Sequence, residues 1–248
     1  MHCRRKRKGW VRGRDSECDK GEILSSFLRV LNLQNNSFNG QILQEVGKLF
    51  RLQRFSLNNN TLEGEIPINF TQCSNLRIIN LAVNNLSGKV PIELGSLSML
   101  QILQLSINNL NGKIPPSLGN LSSLAILALA QLELEGNIPN ELGRLGSLDF
   151  FTSAENNLSG IFPSSLFNIS SFRTIGITKN KLSGRLPNSI GIDLPNIRQI
   201  VPNYLGNLRS LQGLKFQENN LGYNSTNDLA FLKSSKNSSS LKGLDFSS

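Results

Sequence analysis

The sequence predicts an α/β solenoid: a right-handed superhelix with a parallel β-sheet on its concave side and short 3-10 turns on its convex side. Three observations predict it. A pattern L-x-x-L-x-L-x-x-N-x-L-x-G-x-I-P returns every 24 residues, starting at Leu28, Leu52, Leu76, Leu100, Leu124, Leu148 and Phe172. Early in each copy, apolar residues alternate with polar or small ones, the period of a strand with one buried face. The rest of each copy is too short for a durable α-helix. Units of this length cannot bury an apolar face alone, so they stack and share one core with their neighbours.

The copy at residues 76–91 shows what each position is for. Ile79 and Leu81 face inward, and stacked copies set their strands side by side about 4.8 Å apart. Asn84 follows where the chain turns inward, and its amide can satisfy backbone groups that the turn would otherwise bury unpaired. The same rung recurs at Asn36, Asn60, Asn108, Asn156, Asn180 and Asn219, a structural ladder and not a ligand site. Leu132 stands where the ladder expects asparagine. Gly88 permits a bend, and Val90-Pro91 starts a second short extended segment. Equivalent pairs are Ile66-Pro67, Ile114-Pro115, Ile138-Pro139, Phe162-Pro163 and Leu186-Pro187. The stretch 93–100 suits a 3-10 turn.

Composition excludes more than it assigns. The net charge of +9 could point to nucleic acid or an anionic membrane, but eight of the 26 basic residues lie in the first 20. Acids dispersed through the repeats leave no continuous basic stripe for a phosphate backbone. The only histidine is His2, which rules out a Ser-His-Asp arrangement. Cys3, Cys18 and Cys73 are too few and too scattered for a zinc site, and no nucleotide loop is present, so no cofactor and no metal is expected. Cys73 shares the phase of Leu97 and Leu121 and reads as a buried thiol; Cys3 and Cys18 could pair in an oxidising compartment. The longest apolar run, residues 124–130, is far short of the roughly 20 needed to span a bilayer.

Function is expected on the concave face, where residues between the leucines are free of packing duty. One column runs Asn80, Gln104, Ala128, Thr152, Gly176. Beside it run Ala82, Ser106, Ala130, Ala154, Thr178, and then Val83, Ile107, Gln131, Glu155, Lys179. A further column carries Val30, Ile78, Ile102, Ile126 and Phe150. Small and amide residues flanked by apolar ones make a shallow track for an extended peptide, whose backbone needs regular donors and acceptors. The face has no aromatic ladder for single-stranded nucleic acid. Nine N-x-S/T sequons occur, at Asn35, Asn59, Asn69, Asn85, Asn120, Asn157, Asn168, Asn224 and Asn237, which agrees with a secretory-pathway protein. Asn120 and Asn168 share a convex-side phase and are the leading glycosylation candidates, with Asn69, Asn85 and Asn157 behind them.

With its G-x-I-P element, the stretch 28–187 resembles the extracellular leucine-rich-repeat domain of plant receptor-like serine/threonine kinases. "GIDLPN" at 191–196 and "NNLGYNSTNDLAFLKSSK" at 219–236 are similar to segments of the immune-receptor branch that senses microbial peptide patterns. The resemblance implies a peptide or protein ligand, a co-receptor kinase ectodomain as partner, and a parent protein at the extracellular face of the plasma membrane, anchored by a span that this chain lacks. The alternative is a stand-alone interaction scaffold or inhibitor. Three departures stand against the family pattern. Residues 1–23 are a basic tail or degenerate cap with no apolar run. After seven repeats over 24–196, the coil 197–210 is truncated, with 14 residues from Ile197 to Leu211 where 24 are expected, so the sheet should be interrupted or kinked there. Residues 211–248 end inside an incomplete repeat. The expectation is a fragment, or an aberrant gene model, of a larger receptor.

Overall fold

The computed structural model describes residues 27–184, 210–221, 240–245 and 247. The basic tail, the coil 197–210 apart from its last residue, the segment 191–196, Cys3, Cys18, Asn224 and Asn237 lie outside the described residues.

Each rung opens with a three-residue strand such as Ile78–Asn80, whose middle residue is buried and whose flanking residues are half-buried. Nine of these strands, from Val30–Asn32 to Gly243–Asp245, form one parallel sheet in which each rung pairs with the next. The register is constant: Ile78 sits beside Ile102, Ile102 beside Ile126, and Phe150 beside Ile126. Between rungs lies one continuous core. Leu76, Leu100, Leu124 and Leu148 are inaccessible to solvent, as are Leu81, Leu105 and Leu129. Burying each such side chain is worth about 1.5–3 kcal/mol. Convex 3-10 helices close the rungs, among them Ile92–Ser96, Pro116–Asn120 and Asn140–Arg144. The α/β solenoid read from the sequence is the fold observed.

Two expectations need correction. The second extended segment does not start at Val90-Pro91. It is the strand Asn85–Lys89, and its counterparts form a second parallel sheet of eight strands along the solenoid's flank. Gly88 lies inside this strand at φ +78, where a Cβ would meet Glu65 Cγ of the preceding rung at 2.9 Å. Val90 is buried, and Pro91 caps the 3-10 helix instead. The strand begins early because the chain has already turned at Val83, whose φ of +59 ends the concave strand.

Nor is the sheet interrupted after the seventh repeat. Strand Gly213–Lys215 pairs directly with Thr174–Gly176 in the common register, and Gln212 N–H donates to the Arg173 carbonyl at 2.8 Å. The interval between paired residues is 39, 15 more than the 24 of the repeat. The next interval, from Gly213 to Gly243, is 30.

Candidate functional site

Asparagine amides position the concave face. Asn84 Nδ2 donates to the carbonyls of Leu57 and Leu81, both at 3.1 Å, while its Oδ1 accepts the Leu62 N–H at 3.0 Å. One side chain thus ties a concave strand's end to its neighbour and to the flanking sheet. Asn60, Asn108, Asn156, Asn180 and Asn219 bond in the same pattern, whereas Asn36, in the first described rung, is exposed and its side-chain amide donates within its own turn. Leu132 is buried at the missing rung. The Leu105 and Leu129 carbonyls still receive Asn108 and Asn156, each at 2.8 Å, but the Leu110 N–H has no amide oxygen to accept it. Ser153, in a core leucine position, has a buried hydroxyl without a partner.

Four columns run along the concave face. The first carries Ile78, Ile102, Ile126 and Phe150, all half-buried, with Val30 exposed at its start. The second holds Asn80, Gln104, Thr152 and Gly176, also half-buried. Ala128 in this column is buried and offers almost no surface, because its methyl is too short to clear the flanking rungs. Ala82, Ser106, Ala130, Ala154 and Thr178 line the third, where Ser106 Oγ accepts the Ala130 N–H at 3.0 Å. The fourth is exposed: Val83, Ile107, Gln131, Glu155 and Lys179. Gln131 Nε2 donates to Glu155 Oε2 at 3.2 Å.

Every residue of the fourth column has positive φ, from +52 at Glu218 to +61 at Ile107. Asparagine, at Asn35 and Asn59, tolerates this left-handed conformation. Val83 and Ile107 do not: a β-branched residue there costs about 1–2 kcal/mol, and both leave their side chains 38% and 46% exposed.

The start of the face has features that sequence pattern alone gives no reason to single out. Arg29, Arg54 and Arg77 lie on consecutive rungs and are exposed, with Arg54 between Val30 and Ile78 in register. No acidic residue occupies the concave columns before Asp149, which is itself paired to Arg173 at 3.1 Å. Only stacking brings these arginines together; in the chain they are 23 to 48 residues apart.

The glycosylation candidates divide by position. Asn120 and Asn168 are exposed at the ends of 3-10 helices, and Asn85 and Asn157 are exposed at the starts of flanking strands. Asn69 is half-buried, and its amide donates to the Gln44 carbonyl at 3.2 Å. A groove of about 830 Å³ lies on the flank, lined by Lys113, Asn137, Ile161 and Pro163 among others, and none of the four concave columns contributes to it. Among the described residues no helix is long and apolar enough to cross a membrane.

Stacked rungs, a buried amide ladder and an open concave sheet define a repeat solenoid with a continuous concave surface. Residues 17–198 match the family described as a leucine-rich repeat region, and the chain belongs to that family. Among solved structures, it is similar to the ectodomain of the Arabidopsis thaliana membrane receptor kinase GASSHO1/SCHENGEN3 in complex with Casparian strip integrity factor 2. The identity is 34% and the TM-score 0.71, covering 81% of this chain and 22% of that one. The Arabidopsis receptor kinase HAESA, in complex with the peptide hormone IDA and the co-receptor SERK1, matches at 29% identity and TM-score 0.75, covering 89% and 34%. A plant ice-binding protein matches at 30% and 0.63, covering 77% and 57%. The chain spans about a fifth to a third of the receptor chains. No curated protein matches the chain in sequence.

Proposed function

We propose that this chain is part of the ligand-binding ectodomain of a plant cell-surface receptor-like kinase and that it binds an extended peptide on its concave sheet. The observation that carries this reading is the concave face itself. Half-buried amides and hydroxyls at Asn80, Gln104, Ser106, Thr152 and Thr178 run between an apolar column and an exposed one that ends in Gln131, Glu155 and Lys179. Such a track offers a peptide backbone donors and acceptors on most rungs, and side-chain contacts on both edges. Two receptor kinases to which this chain is similar were solved with a peptide hormone or an integrity factor bound, and one of them with a co-receptor. A co-receptor ectodomain is accordingly proposed as the second partner. Asn85, Asn120, Asn157 and Asn168 are the proposed glycan sites, since the Asn69 amide is bonded to the preceding turn. Similarity to an ice-binding protein shows that the fold alone does not fix the ligand. Even so, Glu63, Glu133, Glu135 and Lys181 break up the flanking sheet's exposed columns, so no regular uncharged array exists there to favour ice.

Panning a displayed library of random dodecapeptides on the chain tests the reading. Enriched peptides should lose binding to Ser106→Trp and Ala130→Trp on the concave face and keep it to Ser122→Trp on the convex side. Binding that only the convex substitution removes would place the site elsewhere.

A further inference from the structure

Val83 and Ile107 are neighbours on the third and fourth rungs, exposed and held in a backbone conformation that disfavours β-branched side chains. Elsewhere in the column the position is filled by Asn35 and Asn59, which tolerate it, and by unbranched residues, so the β-branched pair carries the greatest strain. Strain kept at an exposed site, with no packing return, points to a contact made by another molecule. Opposite them, across Asn80 and Gln104, lie Ile78 and Ile102 on the same two rungs. Two apolar rails thus flank an amide trough. One rung towards the start of the array, Arg54 takes the place of the apolar residue in the first rail, with Arg29 and Arg77 on either side.

We propose that rungs one to four bind an acidic and apolar peptide segment in a fixed direction, its anionic side chain over Arg29, Arg54 and Arg77 and its apolar side chains between Ile78, Ile102 and Val83, Ile107. This inference rests on the peptide-binding reading and gives it a ligand chemistry. Charge complementarity selects the anion: three exposed guanidinium groups share a face that holds no acid on its first five rungs. A peptide is favoured over a polyanionic sugar because the cations stop after three rungs and a track without cations, railed by apolar side chains, follows. Rung spacing sets the ligand's spacing. Two steps of about 4.8 Å separate Arg54 from Ile102, a span of about three extended residues.

The displayed dodecapeptide library supplies the test. Enriched sequences should carry Asp or Glu about three positions from an Ile, Leu, Val or aromatic residue. A labelled synthetic peptide of the enriched sequence should bind at least tenfold more weakly to Arg54→Glu, and a Lys-for-acid version should recover that loss. The double substitution Val83→Asn with Ile107→Asn should also weaken binding at least tenfold while raising the melting temperature by about 2–4 °C, since it relieves strain. Unchanged affinity in these variants overturns the inference and leaves peptide binding elsewhere on the concave face standing. Failure to enrich any peptide overturns both. If oligogalacturonate binds, and only the arginine substitution affects it, the ligand is a sugar and the proposal falls.

Discussion

At the scale of single residues, the missing rung of the ladder is a local defect with a calculable effect. Leu132 orphans one N–H, that of Leu110, while the neighbouring carbonyls keep donors from Asn108 and Asn156. A buried unpaired donor costs about 1–3 kcal/mol. Leu132→Asn is therefore expected to raise stability by about 1 kcal/mol, read from the urea midpoint, and a fall would show that the pocket around Leu132 needs its apolar volume. Cys73 makes a second case. Its thiol is buried, with Sγ 3.3 Å from the Val46 carbonyl oxygen, and desolvation pushes its pKa up to about 11 from the ordinary 9.0. Above pH 9 the unfolded chain ionises this thiol while the folded one does not. Stability from this group is intact below about pH 9 and declines from there to about 11. Urea midpoints between pH 8 and 10.5 should fall less for Cys73→Ala than for the unaltered chain, relative to each protein's value at pH 8. The ladder was legible in the sequence because only an amide both donates and accepts at such a turn. The left-handed column was less so: Asn35 and Asn59 signal it, but Val83 and Ile107 carry the opposite local preference, and only backbone angles reveal the conflict.

At the scale of elements, the convex 3-10 helices pack more tightly than the strands require. A Cβ on Gly119 would stand 2.3 Å from the Glu141 carbonyl oxygen, and one on Gly95 would stand 2.4 Å from that of Ser117. These neighbours are backbone and cannot swing aside. Gly119→Ala should cost about 1–3 kcal/mol in thermal or urea unfolding. Gly112→Ala differs in cause: its nearest neighbour is the flexible Lys89 chain at 3.3 Å, and its penalty comes from φ +77. The concave strands were readable from period-two alternation. The flanking sheet was not, since Asn85–Lys89 and most of its equivalents bury one leucine and contain a glycine, which looks like a turn. Its hydrogen bonds come from the neighbouring rungs, which no single copy of the motif displays.

At the scale of the whole molecule, the register outlasts an irregular interval. Because Thr174–Gly176 pairs with Gly213–Lys215 as any two consecutive rungs do, amide-exchange protection should pass from Ile175 to Leu214 without a step. A sharp drop in protection at Leu214 would mean that the longer interval uncouples the last rungs. Six even intervals made the array plain, but spacing alone could not tell whether the strands on either side of the irregular interval pair, as they do. That same indifference to spacing has a consequence for descent. Most rungs offer their neighbours the same pattern of bonds, so an in-frame loss of residues 76–99 would bring Arg54 beside Ile102, with Asn108 following Asn60 in the ladder. A gene for such a chain can gain or shed whole units by unequal crossing-over, and each product folds. The number of rungs, and with it the length of the surface on offer to a ligand, is thus free to drift and to be selected apart from the fold that carries it.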